Sequence, residues 1–356
     1  MLTCVSKKTL KNQTGFSLIE IMVGLVIGLI ATIVIMQVFS AFEGQKRTTT
    51  GSADAQTNGS IALFTMVRDI QMAGFGLPVF DTQNPPLKCN PSPTINLASA
   101  TNVDMFPIQI LDGGVGLSDT IRIRYATDGA NAQGGIAIKI VGPAPAVPTV
   151  AVDNNLGCNN GDVVLLSNGT ACNMTTVNDT TLSSDTTHIT LVSSTGVAIG
   201  GSIACMGRWT QFTYTVVNNQ LQRNDGNIAT ATPIVSEVVN IQAQYGISGD
   251  PKSNQITNWV DATGAWATPG VTSATCDAAN ANRNCIRAVH IAVVARNGLL
   301  EKTNVTAAAP VAWATVGTST TPTISLTGIP NWQQYRYRVY DTIIPLRNMI
   351  WAKNTL

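Results

Sequence analysis

The chain has 356 residues, of which 44% are hydrophobic and 12% are charged, and its formal net charge is +1. This length is enough for one or two domains with a sizeable core. The balanced charge excludes the strongly basic surface of a nucleic-acid-binding protein, and the wealth of Asn, Thr, Ser and Gly favours strands and turns after the first segment.

The first predicted element is an apolar helix near the N-terminus. Residues 21–42 form a run of 22 residues without a charge, which as a helix would measure about 33 Å and cross a bilayer core. Lys7, Lys8 and Lys11 precede it, so the positive-inside rule predicts a cytoplasmic N-terminus with the rest of the chain outside. The run is too long for a secretory signal peptide, whose apolar region has about 7–15 residues.

The cysteines fit this orientation. Cys4 precedes the apolar run, and six cysteines follow it, namely Cys89, Cys158, Cys172, Cys205, Cys276 and Cys285. An even set outside the membrane favours an oxidising compartment with up to three disulfides, in any of about 15 connectivities. The alternative is that they are unpaired buried residues.

A carboxylate at the start of the apolar run is unusual, and the residues around it form a recognisable motif. A basic leader ends at Gly15, Phe16 follows, and Glu20 is the fifth residue counted from Phe16. This pattern resembles the class III signal of type IV prepilins and of type II secretion pseudopilins. The resemblance implies that a prepilin peptidase removes the leader 1–15, and that the new amine of Phe16 is N-methylated.

The same resemblance implies an assembly role for Glu20. A lone carboxylate inside a bilayer costs on the order of 3 kcal/mol on insertion scales, and a nearby cation lowers that cost. In pilins the Glu is thought to meet the N-terminal amine of a neighbouring subunit. The alternative is a Glu that merely lies at the headgroup boundary. Gly24 and Gly28 add a small-residue pair that lets helices approach closely, although glycine is common in membrane helices.

The helix is expected to continue beyond the membrane, over about 16–73. A stripe at three-residue spacing predicts its buried face, made of Ile61, Phe64, Val67, Ile70 and Ala73. Residues 48–51 and 58–59 are poor helix formers and predict a weak or bent middle. Glycine and proline at 74–78 predict its end. The expected organisation is a leader at 1–15, a transmembrane half at 16–42, an amphipathic half at 43–76 and a β-rich periplasmic head at 77–356.

The head is predicted to be a mainly antiparallel sheet with long loops, which makes the fold class α+β and pilin-like. Residues 121–125 alternate in polarity like a strand, and further strands are predicted at 136–141, 162–167, 188–192, 208–217, 238–245, 286–295 and 335–344. Segments 80–100, 142–160 and 248–284 are predicted loops. The stretch 167–187 could be a loop or a solvated edge hairpin.

Three segments narrow the resemblance: residues 68–75, 238–246 and 337–348 resemble the PilW family of minor pilins, itself similar to J-type pseudopilins. This implies a minor pilin in a priming or tip complex, held in the inner membrane before assembly. The implied partners are other minor pilins (PilV-, PilX- and FimU/FimT-like), the major pilin, the prepilin peptidase and a tip adhesin. Arg338 and Arg347 are expected to satisfy carboxylates or carbonyls of the head.

No catalytic constellation is recognisable, and neither a cofactor nor a metal is expected. The two histidines, His188 and His290, lie in separate strand-like runs, and no zinc, hydrolase or ATPase motif is present. Two alternatives stay open: a pseudopilin of type II secretion, and a tip adhesin that binds a receptor through the loops 142–187 or 248–284. Trp259 and Trp266 are candidates for an exposed aromatic cluster there, although packing under a long loop is the role expected for them.

Overall fold

A computed structural model describes residues 15, 17–77, 94–95, 106–128, 137–142, 148–167, 172–193, 197–226, 230–270, 273–314 and 321–351. Among the residues discussed above, Cys4, Lys7, Lys8, Lys11, Phe16 and Cys89 lie outside this set. The chain divides into two compact units, Met1–Thr50 and Gly51–Leu356. A single long helix, α1, covers Leu18–Gln71 and agrees with the helix predicted over 16–73.

The N-terminal unit contains the apolar part of α1. Every residue from Leu18 to Phe42 is exposed in the isolated chain. Length and composition make α1 able to cross a membrane, and the mean hydropathy of its most apolar 18-residue window is 2.8. Beyond the apolar run, Arg47 and Glu43 form an i, i+4 ion pair at 3.1 Å on the helix surface. The apolar run therefore has no partner within the described part of its own chain.

The second unit is built around β-sheets, as the α+β prediction required. Its strands are β1 (Thr94–Ile95), β2 (Ile108–Leu111), β3 (Thr120–Asp128), β4 (Ala137–Lys139), β5 (Thr149–Ala151), β6 (Val163–Ser167), β7 (Cys172–Thr176), β8 (His188–Thr190), β9 (Ser202–Val217), β10 (Gln220–Asp225), β11 (Thr232–Ser236), β12 (Val238–Ser248), β13 (Ile256–Val260), β14 (Ile286–Arg296) and β15 (Tyr337–Pro345). A short helix, α2 (Arg347–Trp351), follows β15.

These strands form three sheets in the described residues. The largest has nine strands and follows the order β1-β7-β6-β9-β10-β11, with β3 and β4 also pairing β9, and β2 pairing β3. A four-stranded sheet has the order β13-β12-β14-β15, and β5 pairs β8 in a two-stranded sheet. All the strand pairs are antiparallel except β1 with β7. The predicted antiparallel head is therefore confirmed.

Each predicted strand is present, but the loop predictions were partly wrong. The structure places β5 inside 142–160 and β13 inside 248–284. At the start of 167–187 the β6–β7 hairpin agrees with the hairpin alternative, but β7 is not an edge strand because β1 pairs with its other side. Much of the predicted loop 80–100 lies outside the described residues. Strands such as β7 and β13 are short and rich in Thr and Asn, so their own sequence carries a weak signal, and neighbouring strands determine their pairing.

The buried face of α1 differs from the predicted stripe. Phe64 is 72% exposed and Ile61 is 47% exposed. The residues buried against the head follow one another mostly at three- and four-residue spacing, and most of them are glycine or alanine. They are Gly51, Ala55, Gly59, Ala62, Met66, Asp69, Ile70 and Ala73. A strict three-residue step rotates around an α-helix by about 60° per step, so a five-member stripe cannot stay on one face.

The expected weak middle of α1 is an uninterrupted helix in the structure. Its glycines are close-packing positions: a Cβ at Gly51 would lie 2.9 Å from the Asn297 Cβ, and a Cβ at Gly59 would overlap the Tyr340 ring. Because glycine has no side chain, the head can pack directly against the surface of the helix at these positions. These glycines lower the helical propensity of α1, but they allow close packing against β15 and its neighbours.

In the part of the second unit that the structure describes, three hydrophobic clusters form the core. The largest joins the α1 face to β2, β3, β12 and β14, and includes Met66, Ile121, Tyr245 and Trp266. The second lies among β4–β9 and includes the Cys158–Cys205 disulfide. The third packs Trp313 and Leu326 against the opposite face of β14.

Two of the expected disulfides are present. Cys158 is bonded to Cys205, and Cys276 is bonded to Cys285. Cys172 begins β7. Four of the six cysteines beyond the apolar run are thus paired, which agrees with an oxidising compartment.

Candidate assembly site

Glu20 caps its own helix. The backbone N–H of Ser17 donates to Glu20 Oε2 at 3.0 Å, and the Ser17 carbonyl accepts from Ile21 N–H at 3.2 Å. Ser17 is therefore the N-cap residue, and Glu20 reaches back to it as in a capping box. The carboxylate also lies at the positive end of the helix dipole. We did not predict this cap, although the Ser-x-x-Glu spacing before an apolar run indicates it.

Glu20 stands in line with the two glycines of the apolar run. Glu20, Gly24 and Gly28 follow at four-residue steps, so they share one helix face. Thr32 continues that line, and its hydroxyl donates to the Leu29 carbonyl at 2.8 Å. A Cβ at either glycine would meet nothing within 4 Å. Packing within the described chain therefore gives no reason for glycine here, and this face is open to another helix.

Of the two residues at the predicted cleavage junction, the structure describes only the first. Gly15 is exposed, while Phe16 lies outside the described set. An exposed glycine without a side chain is compatible with an extended substrate in a protease site.

The far end of α1 is fixed to the head by a buried carboxylate that the sequence did not reveal. Asp69 is 5% exposed. Its Oδ2 accepts from the Tyr214 hydroxyl at 2.5 Å and from Arg223 Nη1 at 3.2 Å. Burial and the neighbouring carboxylate raise the pKa of Tyr214, so its hydroxyl stays protonated and donates. The Arg223 guanidinium in turn lies over the Phe212 ring at 4.2 Å.

The turn after α1 pairs with β3. Gly74 N–H donates to the Arg124 carbonyl at 3.0 Å, and Ala126 N–H donates to the Phe75 carbonyl at 2.8 Å. Gly76 has a φ of +67°, and a Cβ there would overlap the Ala126 carbonyl oxygen. Only glycine fits this close approach.

Two of the three segments that carry the PilW resemblance meet in space. The Asn348 amide donates to the carbonyls of Gln71 at 3.2 Å and Ala73 at 3.1 Å. Residues 68–75 and 337–348 therefore close the same corner of the head. Arg338 donates to the Ser52 hydroxyl of α1 at 3.3 Å, and not, as expected, to a carboxylate or carbonyl in the described part of the head.

The third segment, in β12, is held by a buried acid. Asp119 accepts from Gly113 N–H at 3.1 Å and from Ala243 N–H at 2.8 Å, and its own N–H donates to the Ile241 carbonyl at 2.8 Å. Burial raises the pKa of Asp119 to about 7. This acid joins the loop before β3 to β12, so its perturbed pKa follows from a structural position.

The two histidines do not share a site. His188 lies 2.9 Å from Asp185, whereas His290 lies 3.0 Å from Asp341 and stacks on Trp313 with ring centres 3.9 Å apart. In the part of the chain that the structure describes, no three or more His, Cys, Asp or Glu side chains gather to hold a metal.

The two tryptophans named for an adhesin differ in exposure. Trp266 is buried in the main core and donates its Nε1–H to the Asp277 carbonyl at 2.8 Å, which agrees with the packing role expected for it and not with an exposed receptor-binding residue. Trp259 is half-buried beside His290, with ring centres 5.4 Å apart. No exposed aromatic pair therefore exists at these two positions.

Comparison with known families gives two matches. Residues 207–348 match the family model described as type IV pilus-assembly protein W, and residues 10–36 match the prokaryotic N-terminal methylation motif. The first match runs from within β9 to the start of α2. The second contains the junction at Gly15, Glu20 and both glycines of the apolar run. Comparisons with curated proteins and with solved structures gave no match.

Proposed function

Because this chain is a PilW-family, prepilin-like protein of the type IV pilus system, we propose that it is a minor pilin that joins other minor pilins to prime pilus assembly. The observation that supports this proposal is the presence of a methylation motif and a PilW-type head in one chain. The apolar half of α1 supplies the common polymerisation element, and the head supplies contacts specific to its partners.

Processing comes first in this proposal. A prepilin peptidase cleaves between Gly15 and Phe16, removes the leader 1–15 and leaves an N-methylated amine on Phe16. Residues 16–42 then hold the subunit in the inner membrane, with 43–76 and the head at 77–356 in the periplasm. An apolar window with a mean hydropathy of 2.8 supports the anchor, and two disulfides support an oxidising compartment.

Glu20 then registers the subunit against its neighbour. A carboxylate offers about four lone-pair directions, and the cap from Ser17 occupies one oxygen, Oε2. The remaining capacity can accept the Phe16 amine of a neighbouring subunit while the cap persists. Gly24 and Gly28, on the same face, let the neighbouring helix approach. The charge pair sets the register, and apolar packing supplies most of the attraction.

The partners follow from this role. Other minor pilins (PilV-, PilX- and FimU/FimT-like) form the initiating complex, the major pilin polymerises from it, and a tip adhesin can be carried at its end. The second unit of this chain spans Gly51–Leu356, which is much longer than a domain that only covers the end of the helix would need to be. A head of that size supplies several separate contact surfaces.

Two alternatives have less support. A type II secretion pseudopilin would share the N-terminal motif, but the head matches a model named for type IV pilus assembly. A tip adhesin would need an exposed binding surface, and burial of Trp266 removes one of the two residues suggested for it.

The capping role of Glu20 makes a sharp experiment possible. Glu20→Gln keeps an oxygen that can accept from Ser17 but removes the charge, whereas Glu20→Ala removes both. If the charge pair sets the register of assembly, both variants are cleaved normally, and both show weakened co-purification with the partner pilins. Glu43→Gln is the matched control, because it removes a charge from the same helix at an exposed ion pair. Normal assembly of Glu20→Gln would contradict the charge-pair mechanism.

A further inference from the structure

A short loop of the second unit displays two apolar side chains to solvent. Residues 112–119 form the β2–β3 loop, which connects β2 to β3. Val115, in the middle of this loop, is 91% exposed, the largest value of any large apolar side chain in the described residues. Leu117, two residues further on, is 59% exposed. Covering both side chains with another apolar surface would remove them from water, which is favourable.

Hydrogen bonds from the head hold the backbone of the β2–β3 loop in one conformation. The Gly116 carbonyl accepts from Ser325 N–H at 2.8 Å and from the buried Asn240 amide at 3.0 Å. The Leu117 carbonyl accepts from the buried Gln242 amide at 2.7 Å. These bonds use backbone carbonyls of the loop, so the fold does not require apolar side chains at its exposed positions.

Asp119 fixes the base of the loop. Its carboxylate accepts from Gly113 N–H at 3.1 Å and from Ala243 N–H at 2.8 Å, so one buried side chain joins the start of the loop to β12. Gly116 has a φ of +75°, and a Cβ there would lie 2.8 Å from the Ser325 Cβ, so glycine is required for this close approach. A loop that is already ordered loses little conformational entropy when a partner covers it.

The surface around the two apolar side chains is acidic. Burial is the main reason that the pKa of Asp119 is raised to about 7, and the negative charges of Asp112 and Asp261 raise it further, so these three carboxyl groups lie near one another. Asp112 is exposed and forms no ion pair with any residue that the structure describes. Two apolar side chains beside acidic groups complement an apolar pocket with a basic rim.

We infer that the β2–β3 loop docks Val115 and Leu117 into an apolar pocket with a basic rim on a different pilin-type subunit, an inference that rests on the proposed function. Apolar contact would supply most of the affinity, and the acidic groups would orient the partner. In a symmetric pair of two copies, this loop would face itself and bring the same carboxylates together, which is unfavourable. The charge of this surface therefore favours a different chain.

A photo-cross-linker in the loop identifies the partner directly. The photoreactive residue p-benzoylphenylalanine replaces Val115 in the full-length chain, in cells that also express the other pilin-type subunits, and mass spectrometry maps the adducts. Val192, which follows β8 and is 60% exposed, is the matched control position. We expect adducts from position 115 with another pilin-type subunit, beside Lys or Arg residues, and none from position 192. Adducts only with a second copy, equal labelling from both positions, or no adduct from position 115 would overturn the inference.

Substitutions separate the apolar contact from the charge. Val115→Asp should lower recovery of the partner subunit in co-purification about tenfold, whereas Val192→Asp should lower it less than about twofold. Asp112→Asn should lower it about twofold and Asp112→Lys about tenfold, because the second change reverses the charge. All four changes are at exposed positions, so the unfolding temperature should stay that of the unaltered protein. Unchanged recovery with Val115→Asp or with Asp112→Lys would overturn the inference.

The N-terminal peptide distinguishes failure of this inference from failure of the proposed function. A chain that starts at methylated Phe16 and enters pili, but gives no adduct from position 115, retains its function and overturns the docking role of the loop. A chain that is absent from every pilin complex overturns both.

Discussion

Asp69 should couple the α1 helix to the nine-stranded sheet energetically, and a double-mutant cycle with Tyr214 measures that coupling. Asp69→Ala leaves the fully buried Tyr214 hydroxyl without its acceptor, at a cost of about 1–3 kcal/mol. It also removes the pair with Arg223, whose side chain is 34% exposed, so that loss is about 1 kcal/mol or less. The total destabilisation expected is about 1–4 kcal/mol.

Tyr214→Phe should cost less, about 1–2 kcal/mol, because Asp69 keeps Arg223 as a partner. In the double variant no orphaned hydroxyl remains. Its destabilisation should therefore fall short of the sum of the two single effects by about 1–2 kcal/mol. Urea unfolding of the mature chain, followed by circular dichroism with the disulfides intact, provides the four free energies.

The matched control is Asp54→Ala, which changes an exposed acid on the same helix and should shift stability by less than about 0.5 kcal/mol. Additive effects of Asp69→Ala and Tyr214→Phe would refute the reasoning. They would mean that the two side chains contribute independently, and that the buried carboxylate does not depend on the hydroxyl.

Four further predictions concern the second unit, Gly51–Leu356. Gly59→Ala should destabilise by about 1 kcal/mol in urea unfolding, because overlap with the Tyr340 ring outweighs the gain in helical propensity; a net stabilisation would show that the ring moves away freely. With a pKa near 7 when folded and near 4 when unfolded, Asp119 binds its proton more tightly in the native state. Its contribution to stability therefore falls as the pH rises from about 4 to about 7. Urea unfolding midpoints measured across that range should show this fall in the unaltered protein but not in Asp119→Asn. Replacing both cysteines of the pair 47 residues apart should cost about 4 kcal/mol, against about 2.5 kcal/mol for the pair 9 residues apart. Peptide mapping of the unreduced chain should also find Cys89 joined to Cys172, the two cysteines left by an even count.

The sequence predicted the parts of the fold that depend on local patterns. The apolar run and the glycines after residue 73 determine where α1 lies, and alternating residues such as those of β3 and β12 mark the central strands. Short strands such as β5 and β13 were not predicted, because their pairing depends on residues outside the strands themselves.

The contacts between helix and head could not be predicted for a different reason. Gly51 and Gly59 look like weak points of a helix until Asn297 and Tyr340 are placed against them. Asp69 looks like a surface acid, and its partner Tyr214 lies 145 residues away. At the N-terminus, Ser17 and Glu20 show the opposite case, since their spacing alone predicts the cap.

The most direct test is mass spectrometry of pili sheared from the cell surface, with a search for the N-terminal peptide of this chain. The proposed function predicts a small number of copies that begin at N-methylated Phe16. A chain that keeps residues 1–15, or a mature chain found only in the inner membrane and never in pili, would contradict a processed minor pilin carried in the filament.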